Sequence, residues 1–119
     1  MTTVVDAAKI GSGAAVAPNL LQLELTNILL AAWRRKRISG VQLVQLSDAF
    51  DQMAVSLEPA LTPTRRNDVL RLAQKHTLSA YDAAYLELAI RLGVPLASHD
   101  TALRRSATHE GVLLADKSL

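Results

Sequence analysis

Apolar and polar positions alternate along the chain in short blocks, and their spacing predicts strands and helices in turn. Ala14-Ala15-Val16-Ala17 is a short apolar run stopped by Pro18, the pattern of a buried strand. Over residues 20–36, Leu21, Leu25, Ile28, Leu29 and Ala32 recur at i, i+4, i+7, i+8 and i+11, which is helical spacing. Ser39 with Gln42 three residues on is a capping box that opens a second helix, whose inner face is marked by Leu43, Leu46, Phe50 and Met53. Residues 54–57 read as a strand. Thr62-Pro63 pairs an N-cap with proline at the first helical position, so a helix begins there and runs to about His76. Ser79 with Asp82 signals another helix start, and that helix ends at Gly93 after Leu92. Leu96-Ala97-Ser98 is a strand after Pro95, residues 101–110 are a helix closed by Gly111, and residues 112–115 are a last strand.

Strands alternating with helices require crossover connections. The expected fold is therefore α/β, a mostly parallel sheet with helices packed on it. In such sheets ligands bind beyond the carboxyl ends of the strands, so polar residues placed there carry candidate chemistry. A chain of 119 residues is expected to form one domain, residues 1–119.

Composition narrows the class. Half the residues are hydrophobic, which is globular rather than disordered. No apolar run approaches the roughly 20 residues of a membrane span. The first residues lack the basic flank and apolar stretch of a signal peptide. With no cysteine there is neither a disulfide framework nor a thiolate metal site, and a cytoplasmic location is the expectation. The net charge is only +2, but arginine is clustered in Arg34-Arg35-Lys36-Arg37, Arg65-Arg66 and Arg104-Arg105. These blocks read either as solvated helix faces or as phosphate contacts. Four aromatic residues, Trp33, Phe50, Tyr81 and Tyr85, are too few for an extended base-stacking platform. His76, His99 and His109 show no metal-ligand spacing and are expected at the surface.

Three acids stand in unusual places. Glu24 lies beside the apolar stripe of the first long helix, between Leu21 and Ile28. Asp82 falls in the first turn of its helix, in line with Leu86 and Ala89. Asp100 follows a strand at its carboxyl end. Each also has an ordinary reading: a carboxylate skirting the stripe to solvent, a helix-start acid favoured by the dipole, and an N-cap. Together they place carboxylates around one sheet edge, the all-oxygen environment that Mg²⁺ or Mn²⁺ prefers.

Three segments then resemble the acidic motifs of PIN-domain ribonucleases of the VapC toxin type. Ala17-Pro18 followed by Leu23-Glu24-Leu25-Thr26-Asn27 is similar to the second motif, a glutamate with asparagine three residues later. Leu78-Ser79-Ala80-Tyr81-Asp82-Ala83-Ala84-Tyr85 resembles the third, an aspartate one residue after an aromatic. Pro95-Leu96-Ala97-Ser98-His99-Asp100-Thr101-Ala102-Leu103 resembles the last, with a small hydroxyl residue two before the aspartate. The set covers about residues 14–115. The resemblance implies a Mg²⁺-dependent endoribonuclease, the toxin of a toxin–antitoxin pair, with Glu24, Asp82 and Asp100 catalytic and metal-binding and Asn27 and Ser98 as supporting partners. It also implies an RNA substrate, a cognate antitoxin protein and a homodimer. The alternative is a shortened PIN-like module that binds an antitoxin or itself and does no chemistry.

The N-terminus departs from the family. The family begins with a central strand ending in an aspartate, then about two helices. Val4-Val5-Asp6-Ala7-Ala8 resembles that strand, but Ala8 stands where a Ser or Thr is usual. Only residues 7–13 separate Asp6 from the next strand, whereas a parallel crossover needs about a dozen or more. Residues 3–10 are therefore expected to be helical with Gly11 as the stop. The central strand would be missing and Asp6 would stand apart from the other acids.

Overall fold

The computed structural model describes residues 3–6, 15–53 and 55–115. Strand β1 (Thr3–Asp6) is followed by β2 (Ala15–Pro18), helices α1 (Leu21–Arg34) and α2 (Gly40–Asp51), and strand β3 (Val55–Glu58). Then come α3 (Pro63–His76), α4 (Ala80–Leu92), β4 (Leu96–Ser98) and α5 (Thr101–His109). Two compact units emerge, residues 20–54 and the remainder.

The larger unit holds a four-stranded sheet in the order β3-β2-β1-β4. β2 and β3 are parallel, and β1 is antiparallel to both β2 and β4. It follows that β2, β3 and β4 run in one direction and β1 alone against them, within the α/β class that the sequence implies. The carboxyl ends of β2, β3 and β4, at Pro18, Glu58 and Ser98, share one edge.

β1 corrects two expectations. The helix expected over residues 3–10 is not formed at Thr3–Asp6, where the β-branched Thr3, Val4 and Val5 suit a strand. Residues 7–10 and the expected stop at Gly11 lie outside the described residues. The central position expected to be vacant is filled by β1. The short connection to β2 is no obstacle, because antiparallel neighbours need only a hairpin and not a crossover. The register carries Thr3 opposite Ser98 and Asp6 opposite Ala15. Asp6 is thus at the sheet edge opposite the one reached by Ser98.

Helix α4 organises the core. Residues 83–89 are all buried, and the helix packs on the sheet and on α3 and α5. A helix apolar nearly all round is expected to be enclosed. Tyr85, Leu86 and Leu88 are fully buried there, with Leu96 of β4 and Leu103 of α5. One charged residue falls within the buried run, Glu87. It accepts from Arg91 Nε at 2.8 Å, and Arg91 Nη1 donates to Glu58 at 3.0 Å, which ties α4 to the end of β3. Burial works against the Arg91 charge, but these two carboxylates outweigh it and hold its pKa above the ordinary value.

Helix starts follow the sequence closely. Ser39 and Gln42 form a complete capping box, and the hydroxyls of Thr62 and Ser79 accept the N–H of Arg65 and Asp82. The last strand, expected over residues 112–115, shrinks to a single parallel bridge between Leu114 and Leu96. In the smaller unit, α1 and α2 form a helical hairpin with a cleft lined by Leu29, Leu30, Leu43 and Val44. Leu43 and Phe50 are half-buried as the spacing predicts, but Leu46 and Met53 are exposed, because a two-helix seam covers only a narrow stripe.

Candidate active site

Asp82 and Asp100 are brought to the carboxyl edge of the sheet by two helix starts. The Ser79 hydroxyl caps α4 by accepting the Asp82 N–H at 3.1 Å, which fixes Asp82 in the first turn. Asp100 is itself the N-cap of α5: its carboxylate accepts the Leu103 N–H at 2.8 Å. The ordinary reading of Asp100 as a cap is therefore correct. It leaves the second carboxylate oxygen, with its lone pairs, for other partners.

Ser98 sits between strand and helix. It is buried, and its hydroxyl accepts the Asp100 N–H at 3.1 Å. Arg104, one turn into α5, donates to the Ser98 carbonyl at 3.0 Å. The β4–α5 corner is thus held from both sides, and the backbone that carries Asp100 is fixed. Nothing local in the sequence marks Arg104 as this clamp. Its block of two arginines splits, with Arg104 half-buried and Arg105 exposed.

The two carboxylates feel one another. Partial burial raises the Asp82 pKa above its ordinary value, the charge of Asp100 adds to the rise, and the Ser79 hydroxyl opposes it. A carboxylate whose ionisation is disfavoured by a neighbouring carboxylate suits a cation between the two. The donor set is all oxygen, which matches a hard dication such as Mg²⁺ or Mn²⁺ rather than Zn²⁺. Tyr81, immediately before Asp82, exposes 62% of its surface and offers a free aromatic face at the same helix start.

Glu24 and Asn27 belong to the smaller unit. Glu24 is half-buried in the first turn of α1, and Asn27, three residues on, is exposed. The structure thus brings Asp82, Asp100 and Ser98 together within one unit and describes Glu24 and Asn27 in the other.

The histidines divide. His99 is exposed, as expected. His76 is not a surface residue: its side chain is only 10% exposed and its Nε2 lies 2.6 Å from Glu110. Spacing could not reveal this, because the partner is 34 residues away.

No helix among the described residues is long and apolar enough to cross a membrane. No curated protein matches the chain. A family profile described as the PIN domain matches residues 3–108.

Proposed function

Because the chain belongs to the PIN domain family, whose members are in general nucleases that act on RNA and typically use divalent metals, we propose that it is a Mg²⁺-dependent endoribonuclease. We propose further that it serves as the toxin of a VapBC-type pair, with a cognate antitoxin protein as partner and a homodimer as its working form. The observation that carries the enzymatic reading is the placement of Asp82 and Asp100 at two helix starts beside the carboxyl edge of the sheet, where the charge of Asp100 reaches Asp82.

In this reading Asp82 and Asp100 hold the metal and orient the attacking water. Glu24 is included as a third carboxylate, and Asn27 as its supporting partner, on the likeness of their sequence segment alone. The metal, when bound, lowers the pKa of water and offsets charge on the scissile phosphate. Ser98 and Arg104 keep Asp100 in place through the backbone. The exposed Tyr81 ring, next in the chain to Asp82, is in this reading the surface on which an unpaired base stacks.

The test is cleavage of single-stranded RNA in Mg²⁺ by the parent chain and by Asp82→Asn and Asp100→Asn. Asparagine caps a helix about as well as aspartate, so Asp100→Asn keeps α5 while removing the charge. Both variants are expected to lose more than about 100-fold in rate, the scale reached by disturbing partners around a bound metal. Parent-like cleavage by folded Asp100→Asn sinks the site. No cleavage by the parent chain in Mg²⁺ or Mn²⁺ favours the module that binds without chemistry.

A further inference from the structure

The carboxyl-terminal ends of α3 and α5 bring together His76, His109 and Glu110. Glu110 is the C-cap of α5, where the helix dipole disfavours a negative charge. It is held there by Lys75 Nζ at 2.8 Å and His76 Nε2 at 2.6 Å on the same oxygen. Hydrogen bonds from Lys75 and His76 keep its carboxyl below the ordinary range, so Glu110 is a firm carboxylate. His109 Nδ1 lies 3.9 Å from that oxygen, and the two imidazoles meet edge to face with centroids 5.3 Å apart.

Lys75 alone would neutralise Glu110. Two imidazoles converging on the same oxygen exceed what a surface ion pair needs. One potential ligand atom from each of His76, His109 and Glu110 lies within 4.8 Å of the others. A tetrahedral Zn²⁺ with bonds of about 2.0–2.2 Å separates its ligand atoms by about 3.3–3.6 Å. The contacts here, 2.6 and 3.9 Å to the shared oxygen, bracket that span. Most of the movement falls on exposed side chains, and Glu110 has to draw back from His76 Nε2 by less than about 1 Å. The His109 side chain is 66% exposed and that of Lys75 is 54%, whereas His76 is enclosed and gives a fixed anchor.

We propose that His76, His109 and Glu110 form a binding site for a borderline dication of the Zn²⁺ class, with Lys75 swinging away and water completing the fourth position. Two nitrogens and one oxygen select Zn²⁺ over Mg²⁺. The site is distinct from the carboxylate pair. Asp100 caps the start of α5 and Glu110 its end, and a helix rising about 1.5 Å per residue sets them about 15 Å apart. Zn²⁺ there joins α3 to α5 through side chains and stabilises their packing.

The experiment uses the full chain after chelator treatment, with Zn²⁺ alone in thermal melts and Co²⁺ alone as a visible-absorption probe. Zn²⁺ is expected to raise the Tm, and Co²⁺ to give the intense visible band of low coordination. His109→Ala, at an exposed position that leaves folding intact by circular dichroism, is expected to weaken both by at least about tenfold in affinity. Asp82→Asn is expected to keep both. Absence of any Zn²⁺ effect overturns the site, as does an undiminished effect in His109→Ala. Loss in Asp82→Asn with retention in His109→Ala assigns the metal to the carboxylate pair and also overturns it. None of these outcomes depends on whether RNA is cleaved.

Discussion

Asp82 is where residue-scale chemistry can be tested without RNA. Its pKa is raised by burial and by Asp100, so the folded chain binds its proton more tightly than the unfolded chain does. The sign follows. Above the raised pKa, folding retains a disfavoured charge and loses stability. As pH falls through that pKa the acid is protonated in the native state and the penalty disappears. Asp82→Asn is therefore expected to melt higher than the parent near pH 7 in chelator, by no more than a few degrees because solvent screens a half-buried group. The gap should close as the pH is lowered into the carboxylate range, and Mn²⁺ should reverse the order by stabilising only the parent. Melting curves of both chains across pH check this, and a lower Tm for Asp82→Asn near pH 7 without metal would contradict it. The places of Asp82 in a first helical turn and of Asp100 between a strand end and a helix start were legible in the sequence. The His76–Glu110 contact was not, because its members are far apart in the chain and share no local pattern.

At the scale of elements, the well-capped helices were readable almost to the residue. Ser39, Thr62 and Ser79 each start a helix because one hydroxyl satisfies an N–H that the helix leaves unpaired. The final strand was less readable, because an apolar run such as residues 112–115 records only a tendency to be covered, and just one bridge pairs it. The turn between α3 and α4 hides a further feature. Thr77, the C-cap of α3, is left-handed at φ 54° and ψ 47°, a conformation that β-branched residues strongly avoid. The turn persists because Leu78 N–H reaches the Ala73 carbonyl and Ser79 caps α4 directly afterwards. Asparagine tolerates this region, and the left-handed penalty for an ordinary L residue is about 1–2 kcal/mol. Thr77→Asn is therefore expected to raise the midpoint of denaturant unfolding with an unchanged m-value. A lower midpoint would mean that the Thr77 side chain stabilises the turn by more than its backbone strain costs.

At the scale of the whole molecule, the β/α alternation made the α/β class legible, but the direction of β1 was not. Val4 and Val5 fit a strand as well as a helical face, and sequence spacing excluded only a parallel crossover. The antiparallel alternative is what forms, with Val4 opposite Ala97 and Val5 opposite both Leu96 and Val16. This has a consequence for the chemistry. Asp6 lies in the segment 4–8 that resembles the first strand of the family, yet β1 brings it to the edge opposite the one reached by Ser98. Thr3, not Asp6, faces Ser98, and three residues of strand at about 3.4 Å each set Asp6 roughly 10 Å farther along the sheet. Backbone positions that far apart exceed what one cation spans, since metal–oxygen bonds are about 2.1 Å. Asp6→Ala is accordingly expected to leave the Mn²⁺-induced rise in Tm unchanged and any Mg²⁺-dependent cleavage of RNA within about twofold of the parent, whereas Asp82→Asn abolishes both. Additivity between distant sites gives the same expectation for the double variant, which should behave as Asp82→Asn alone. Loss of metal binding in folded Asp6→Ala would show instead that β1 runs parallel to its neighbours in solution, with Asp6 beside Asp100 at the carboxyl edge.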